Sequence, residues 1–118
     1  MLKIYTYKNC DSCRKAIRFL ESNDIAFKEH PIRETPPTKT ELKKMLGFLD
    51  GDLRQLFNTS GQDYRKLGLK DKLPSMGEKE AFELLSQNGN LVKRPFVLHA
   101  NWGLVGFKED LWHAKILT

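Results

Sequence analysis

Two cysteines, three histidines and no long hydrophobic run leave several functional classes without support in these 118 residues. Two cysteines are too few for a disulfide scaffold. A structural metal site needs about four ligands. His30, His99 and His113 stand apart from one another, and there is no second cysteine pair, so no metal site is expected. A Gly-rich dinucleotide fingerprint is missing, so nicotinamide and flavin chemistry have no recognisable binding motif. The longest apolar stretches are a few residues, far short of a bilayer span. The opening MLKIYTYKN enters a strand-like pattern directly and has no signal-peptide apolar stretch. A cytoplasmic location and no membrane partner are therefore expected. Lys and Arg outnumber Asp and Glu by 20 to 15, yet the charges are interleaved and form no basic block. That pattern describes a solvated surface, with no direct nucleic-acid contact. A mildly cationic surface still favours small anionic substrates such as glutathione or oxyanions.

What is present suits one soluble globular domain over residues 1–118, with 40% hydrophobic and 30% charged residues. Leu2 to Tyr7 alternate and are rich in Ile, Tyr and Thr, the pattern of a strand. Cys13, Ala16, Ile17 and Leu20 then recur at helical spacing, SND ends that helix, and IAFKEHPI supplies a second strand. Such a βαβ unit places its two strands parallel. Thr38 with Glu41 three residues later predicts a capping box; Leu42, Met45 and Leu46 form the apolar face, and Gly47 is the expected end. Short amphipathic pieces follow, LRQLF and DYRKLGL, separated by NTSG. A helix with Ala81, Leu84 and Leu85 inward then ends at NGN. RPFVLHA and GLVGF read as two strands joined by NWG, and KEDLWHAKIL as a closing helix.

The cysteines sit at the junction of the first strand and helix, in KNCDSCRK. At the start of a helix, Cys10 faces unpaired N–H groups and the positive end of the dipole. Lys8 and Arg14 add positive charge, and Asp11 opposes it. The expected result is a Cys10 sulfur favoured as thiolate. Cys13 falls on the inward helical face, less exposed but close enough to attack a mixed disulfide on Cys10. Cys10 is read as nucleophile and Cys13 as resolving thiol, a redox pair that closes a reversible disulfide. The competing readings, half of a metal site or two inert buried cysteines, lack respectively the other ligands and a reason for the helix-start position.

YTYKNCDSCRKAIRFLESNDI, TPPTKTELKKML, LFNTSGQDYRKLGL, LVKRPFVL and GLVGFKED together resemble the ArsC/Spx family, the arsenate reductase-like branch of the thioredoxin-like proteins. The resemblance implies a thioredoxin/glutaredoxin-like α/β fold. A small mixed four-stranded sheet would be built from βαβ and ββα halves, residues 1–34 and 91–118, around a helical insertion of about 35–90. It also implies a thiol-dependent reductase, with Cys10 matching the catalytic cysteine and Arg94 of KRPF matching one of three oxyanion-binding arginines. Asn58 stands where a second arginine is expected, the third falls near Phe107, and Thr6 replaces a histidine four residues before the nucleophile. One arginine is a thin clamp for a doubly charged oxyanion, so weak arsenate reduction is expected. Pro95 is expected to form a cis bond facing the active cysteine. Thr6, Lys8, Asn9, Asn58 and the backbone of the 8–13 loop are candidates for orienting substrate. The implied activity is thiol–disulfide exchange on a small thiol or disulfide, with no bound cofactor and with glutathione or thioredoxin as reductant. The alternatives are an Spx-like redox-sensing regulator that binds RNA polymerase, and an arsenate reductase.

Overall fold

The computed structural model describes residues 1–117. The alternating N-terminal segment is strand β1 (Leu2–Thr6), and after a three-residue loop and Cys10 comes helix α1 (Asp11–Ser22). Strand β2 (Phe27–Pro31) lies parallel to β1, Leu2 opposite Phe27 and Thr6 opposite Pro31. Four α-helices fill the middle of the chain, with short 3-10 turns between them: α2 (Lys39–Phe48), α3 (Gln62–Lys66), α4 (Leu69–Lys72) and α5 (Glu78–Gln87). The last segment returns to the sheet as β3 (Phe96–Leu98), antiparallel to β1, and β4 (Gly103–Val105), antiparallel to β3; α6 (Glu109–Ile116) closes the fold. The strand order is β2-β1-β3-β4, a mixed four-stranded α/β sheet.

Because strand side chains alternate between faces, this short sheet supports two separate cores. Leu2, Ile4 and Val97 pack with Ala16 and Leu20 of α1 and Trp112 of α6. Tyr5, Phe96 and Leu98 point the other way, into Leu42, Met45, Ala81 and Leu85 of the middle helices. Trp112 is 1% exposed and its indole N–H donates to the Gly106 carbonyl at 3.0 Å, so its one polar atom is satisfied. That bond ties α6 to the loop after β4.

The Thr38–Glu41 capping box is present, and Glu41 does more than cap. Its Oε1 accepts from the Tyr5 hydroxyl at 2.6 Å and from the Thr38 N–H at 3.0 Å, while Lys3 Nζ lies 2.7 Å from Oε2. Burial works to raise the Glu41 carboxyl, but the hydrogen bonds from Lys3, Tyr5 and Thr38 outweigh it and hold the group below the ordinary carboxylate range. The same network, burial first, pushes the Tyr5 phenol up to about 12. A lowered folded-state carboxyl contributes stability above its unfolded value, about 4.3, and loses it as pH falls through the folded value. Glu41→Gln should therefore be destabilising at pH 7, with the gap to wild type closing below about pH 4. Urea denaturation at pH 7 and pH 3 checks this; a gap of equal size at both would assign Glu41 no electrostatic role.

Three expected details differ. Gly47 lies inside α2, which continues to Phe48; the chain turns where Asp50 and Gly51 take positive φ of 57° and 79°. On α5 the inward residues are Ala81, Phe82 and Leu85, with Leu84 only half-buried against the core. Phe82, the larger ring, takes the buried place expected for Leu84. The last two strands are three residues each, shorter than the apolar segments that contain them.

Candidate active site

β1 delivers the chain to the cysteine loop through a turn, with the Cys10 N–H donating to the Tyr7 carbonyl at 3.2 Å. Cys10 is the N-cap of α1: its carbonyl accepts from Arg14 N–H at 3.0 Å and its Sγ accepts from Cys13 N–H at 3.3 Å. A sulfur in that position meets the helix end, where negative charge is favoured. Cys10 is partly exposed, whereas Cys13 is 2% exposed; both are free thiols. The Tyr7 N–H points at Cys13 Sγ at 3.5 Å. Burial, and after it the neighbouring Cys10 sulfur, push the Cys13 thiol well above its ordinary range, against the opposing pull of the Tyr7 N–H and the Arg94 charge.

Of the two cations expected beside Cys10, Arg14 is already engaged. It pairs with Asp11 at 2.9 Å and its Nε donates to the Lys8 carbonyl at 3.2 Å, which pins the loop. Arg94 precedes a cis bond to the buried Pro95, as expected. Its guanidinium lies 4.9 Å from the centre of the Tyr7 ring, and its Nη1 is buried with no hydrogen-bond partner.

Tyr7 and Arg33 carry no motif in the sequence, yet both belong here. Arg33 also lies 4.9 Å from the Tyr7 ring centre and donates to the Tyr7 hydroxyl at 2.8 Å. Asn9 donates to the same oxygen at 3.3 Å. That hydrogen bond first, then the Arg33 charge, lowers the Tyr7 phenol from its ordinary value. The signal was topological: parallel strands end on the same side of a sheet, so the residues just after β1 and just after β2 meet.

The other candidates stand around this group, and not all of them face the cysteines. Thr6 donates to Glu29 of β2 at 2.5 Å. With Lys8 and Cys13 it lines a cleft of about 370 Å³ on the α1 side of the loop. Asn58 is part of the scaffold. Its N–H donates to Leu91 O at 2.7 Å and its side chain to Asn90 O at 3.4 Å, which holds the 57–61 loop against the segment leading to Arg94. Phe107 packs edge-on against Trp112 and Phe19, with ring centres 5.0 Å and 5.9 Å away. Among the described residues no group of three His, Cys, Asp or Glu side chains is arranged to hold a metal.

The sequence model of the ArsC family matches residues 5–115, from the end of β1 to the end of α6. The chain belongs to the ArsC family. Similar proteins include the uncharacterized protein YusI of Bacillus subtilis (strain 168), 46% identical over 109 residues and 92% of each chain. The global transcriptional regulator Spx of Listeria innocua is 33% identical over 110 residues, covering 93% of this chain and 82% of that protein. Among solved structures, an ArsC family related protein from Bacteroides fragilis superposes with a TM-score of 0.90 at 39% identity, over 96% of this chain and 95% of the other. ArsC membership thus covers both halves of the sheet and the helices between them. No helix among the described residues is long and apolar enough to cross a membrane.

Proposed function

We propose that this ArsC-family protein is a thiol–disulfide oxidoreductase acting on a small disulfide. The arrangement that carries the reading is a partly exposed Cys10 at the helix cap, with the buried Cys13 one turn behind it. Cys10 thiolate attacks one sulfur of a disulfide RS–SR; the Cys10–S–SR bond forms and one RS⁻ departs, taking up a proton. Cys13, deprotonated as it attacks, displaces the second RS⁻ and closes the Cys10–Cys13 disulfide. Two electrons have then passed from the protein to the substrate. A thiol reductant, glutathione or a thioredoxin-type dithiol, returns the protein to its dithiol form. Arg94 stabilises negative charge beside the reacting sulfurs.

The test is a panel of arsenate, a glutathione mixed disulfide and insulin disulfide, offered to wild type and Cys10→Ser with reductant in excess. We expect turnover of the mixed disulfide that Cys10→Ser abolishes. Turnover that survives in Cys10→Ser would overturn the assignment. Arsenate should be turned over at least about 100-fold more slowly than the mixed disulfide, since each missing charge-assisted pair to the oxyanion costs about 1.5–3 kcal/mol. Asn58 and Phe107, where two arginines were expected, supply no charge. Arsenate turnover equal to that of the disulfide would mean that other cations have taken over the clamp.

The Spx relatives favour a second reading, a redox-sensing transcriptional regulator in which the same Cys10–Cys13 disulfide switches binding to RNA polymerase. Purified RNA polymerase retained by the oxidised or the reduced form alone, with no disulfide turnover in the panel, would select this reading over the enzyme.

A further inference from the structure

A cleft of about 490 Å³ opens beside the cysteine loop, within the size range of small-molecule sites. Three chain segments wall it: the 52–59 turn and loop, the lead into β3, and the loop from β4 to α6. Arg54, Lys93, Arg94 and Lys108 contribute cations, and Ser12, in the first turn of α1, connects the cleft to the cysteine loop. The one carboxylate, Asp52, is occupied: Oδ1 accepts from Arg54 N–H at 3.2 Å and Oδ2 from the Gln55 amide at 3.1 Å. Among the described residues the ion pairs are Lys3–Glu41, Arg14–Asp11 and Lys39–Glu83, so none of the four cleft cations has a carboxylate partner.

Charge on a surface is ordinary, but two features here are not. Arg94 carries a buried guanidinium nitrogen that no protein acceptor satisfies, and such a group is costly to leave unpaired. Lys93 is held in place: its N–H donates to Leu56 O at 2.8 Å, and its stem lies across Gly106. A Cβ at Gly106 would come within 3.1 Å of Lys93 Cε, and the φ of +71° there also favours glycine. Phe57, Val105 and Phe107 give the cleft an apolar wall beside the cations.

We propose that this cleft binds the carboxylate-bearing part of a low-molecular-weight peptide disulfide, and so presents its sulfur to Cys10. The inference rests on the oxidoreductase reading for the chemistry, but not for the binding. Carboxylates meet Lys93, Lys108 and Arg54, one of them satisfies Arg94, and the aliphatic portion lies along the apolar wall. Thiol exchange proceeds as described above, with the retained RS group held in the cleft until Cys13 displaces it.

The binding arm uses the Cys10→Ser protein with S-methylglutathione, a dicarboxylate probe that cannot exchange. Amide shifts in residues 52–59, 93–94 and 105–108 are expected. Affinity should fall about tenfold in Lys93→Glu/Lys108→Glu and less in Lys93→Gln/Lys108→Gln, and should weaken with added salt. No shift at these amides at millimolar probe, or equal affinity in both double variants and the parent, overturns the cleft. The kinetic arm compares glutathione disulfide with neutral bis(2-hydroxyethyl) disulfide. In the charge-reversed variant the ratio of kcat/KM, anionic over neutral, should drop about tenfold. Probe binding at the cleft with neither disulfide reduced would sink the oxidoreductase reading and leave the cleft standing. Reduction of both with an unchanged ratio would do the reverse.

Discussion

At pH 7.5 the Cys13→Ser protein, with Cys10 as its one thiol, should alkylate with iodoacetamide at least about 100-fold faster than the Cys10→Ser protein. Two independent factors give the difference. Reagent reaches Cys10 at the helix cap, whereas Cys13 is 2% exposed behind it. The thiolate is the reacting species, and burial pushes the Cys13 thiol up, so little thiolate forms at neutral pH. The pH profiles should differ in shape as well. In Cys10→Ser the rate should keep climbing beyond pH 9, because removing Cys10 leaves the largest cause of the shift, burial, in place. A parallel result is expected with glutathione disulfide. Cys13→Ser should trap a stable mixed disulfide on Cys10, detected by mass, and Cys10→Ser should trap none. Faster alkylation of Cys13 would reverse the roles of the two sulfurs.

The bridge that wild type forms should be reversible. It closes a very short loop, so it removes little entropy from the unfolded chain. Its reduction potential is expected at about −180 to −270 mV, the range of redox-active pairs rather than of structural disulfides. Titration against a glutathione or dithiothreitol buffer gives the value, and one below about −300 mV would mark a structural bond.

What could be read from the sequence was local chemistry. Cys10 at the helix cap, Thr38 with Glu41, and the parallel β1–β2 pair each depend on spacings of a few residues. The assignments that shifted depend on tertiary partners. Gly47 looks like a stop signal, but a glycine inside a helix costs only about 1 kcal/mol, and the burial of Met45 and Leu46 carries α2 past it. Lys8 and Arg14 look equivalent beside the cysteines, and only the fold shows Arg14 paired with Asp11. Asn58 stands where the family resemblance leads one to expect an arginine, yet its amide is used to hold a loop. Tyr7 and Arg33 are 26 residues apart and carry no motif; the parallel strands alone bring them into contact.

The largest stability effect is expected from Gly89→Ala, far in sequence from either cysteine. A Cβ on Gly89 would fall 1.8 Å from the Ile32 carbonyl oxygen, 2.6 Å from its carbonyl carbon and 3.0 Å from Arg33 Cα. All three are backbone atoms, so no side-chain rotation relieves the clash. Ile32 is fully buried and its N–H donates to Thr6 O at 2.8 Å, which fixes that side to the end of β1. The other side, the 88–91 turn, carries the Leu91 and Asn90 carbonyls that hold Asn58. One of the two must move, at a cost of about 3 kcal/mol or more, the upper end for overpacking a filled core. In a domain of this size that corresponds to a Tm lower by about 10 °C or more. Displacement in either direction also disturbs the site, because Arg33 follows one side and Arg94 follows the other. Gly47→Ala is the matched control, since a Cβ there meets nothing within 4 Å and lies inside α2. That change should raise stability by about 0.5–1 kcal/mol. The two variants should therefore move Tm in opposite directions, and a Gly89→Ala protein as stable as wild type would mean that the β2 end and the 88–91 turn are not packed backbone to backbone.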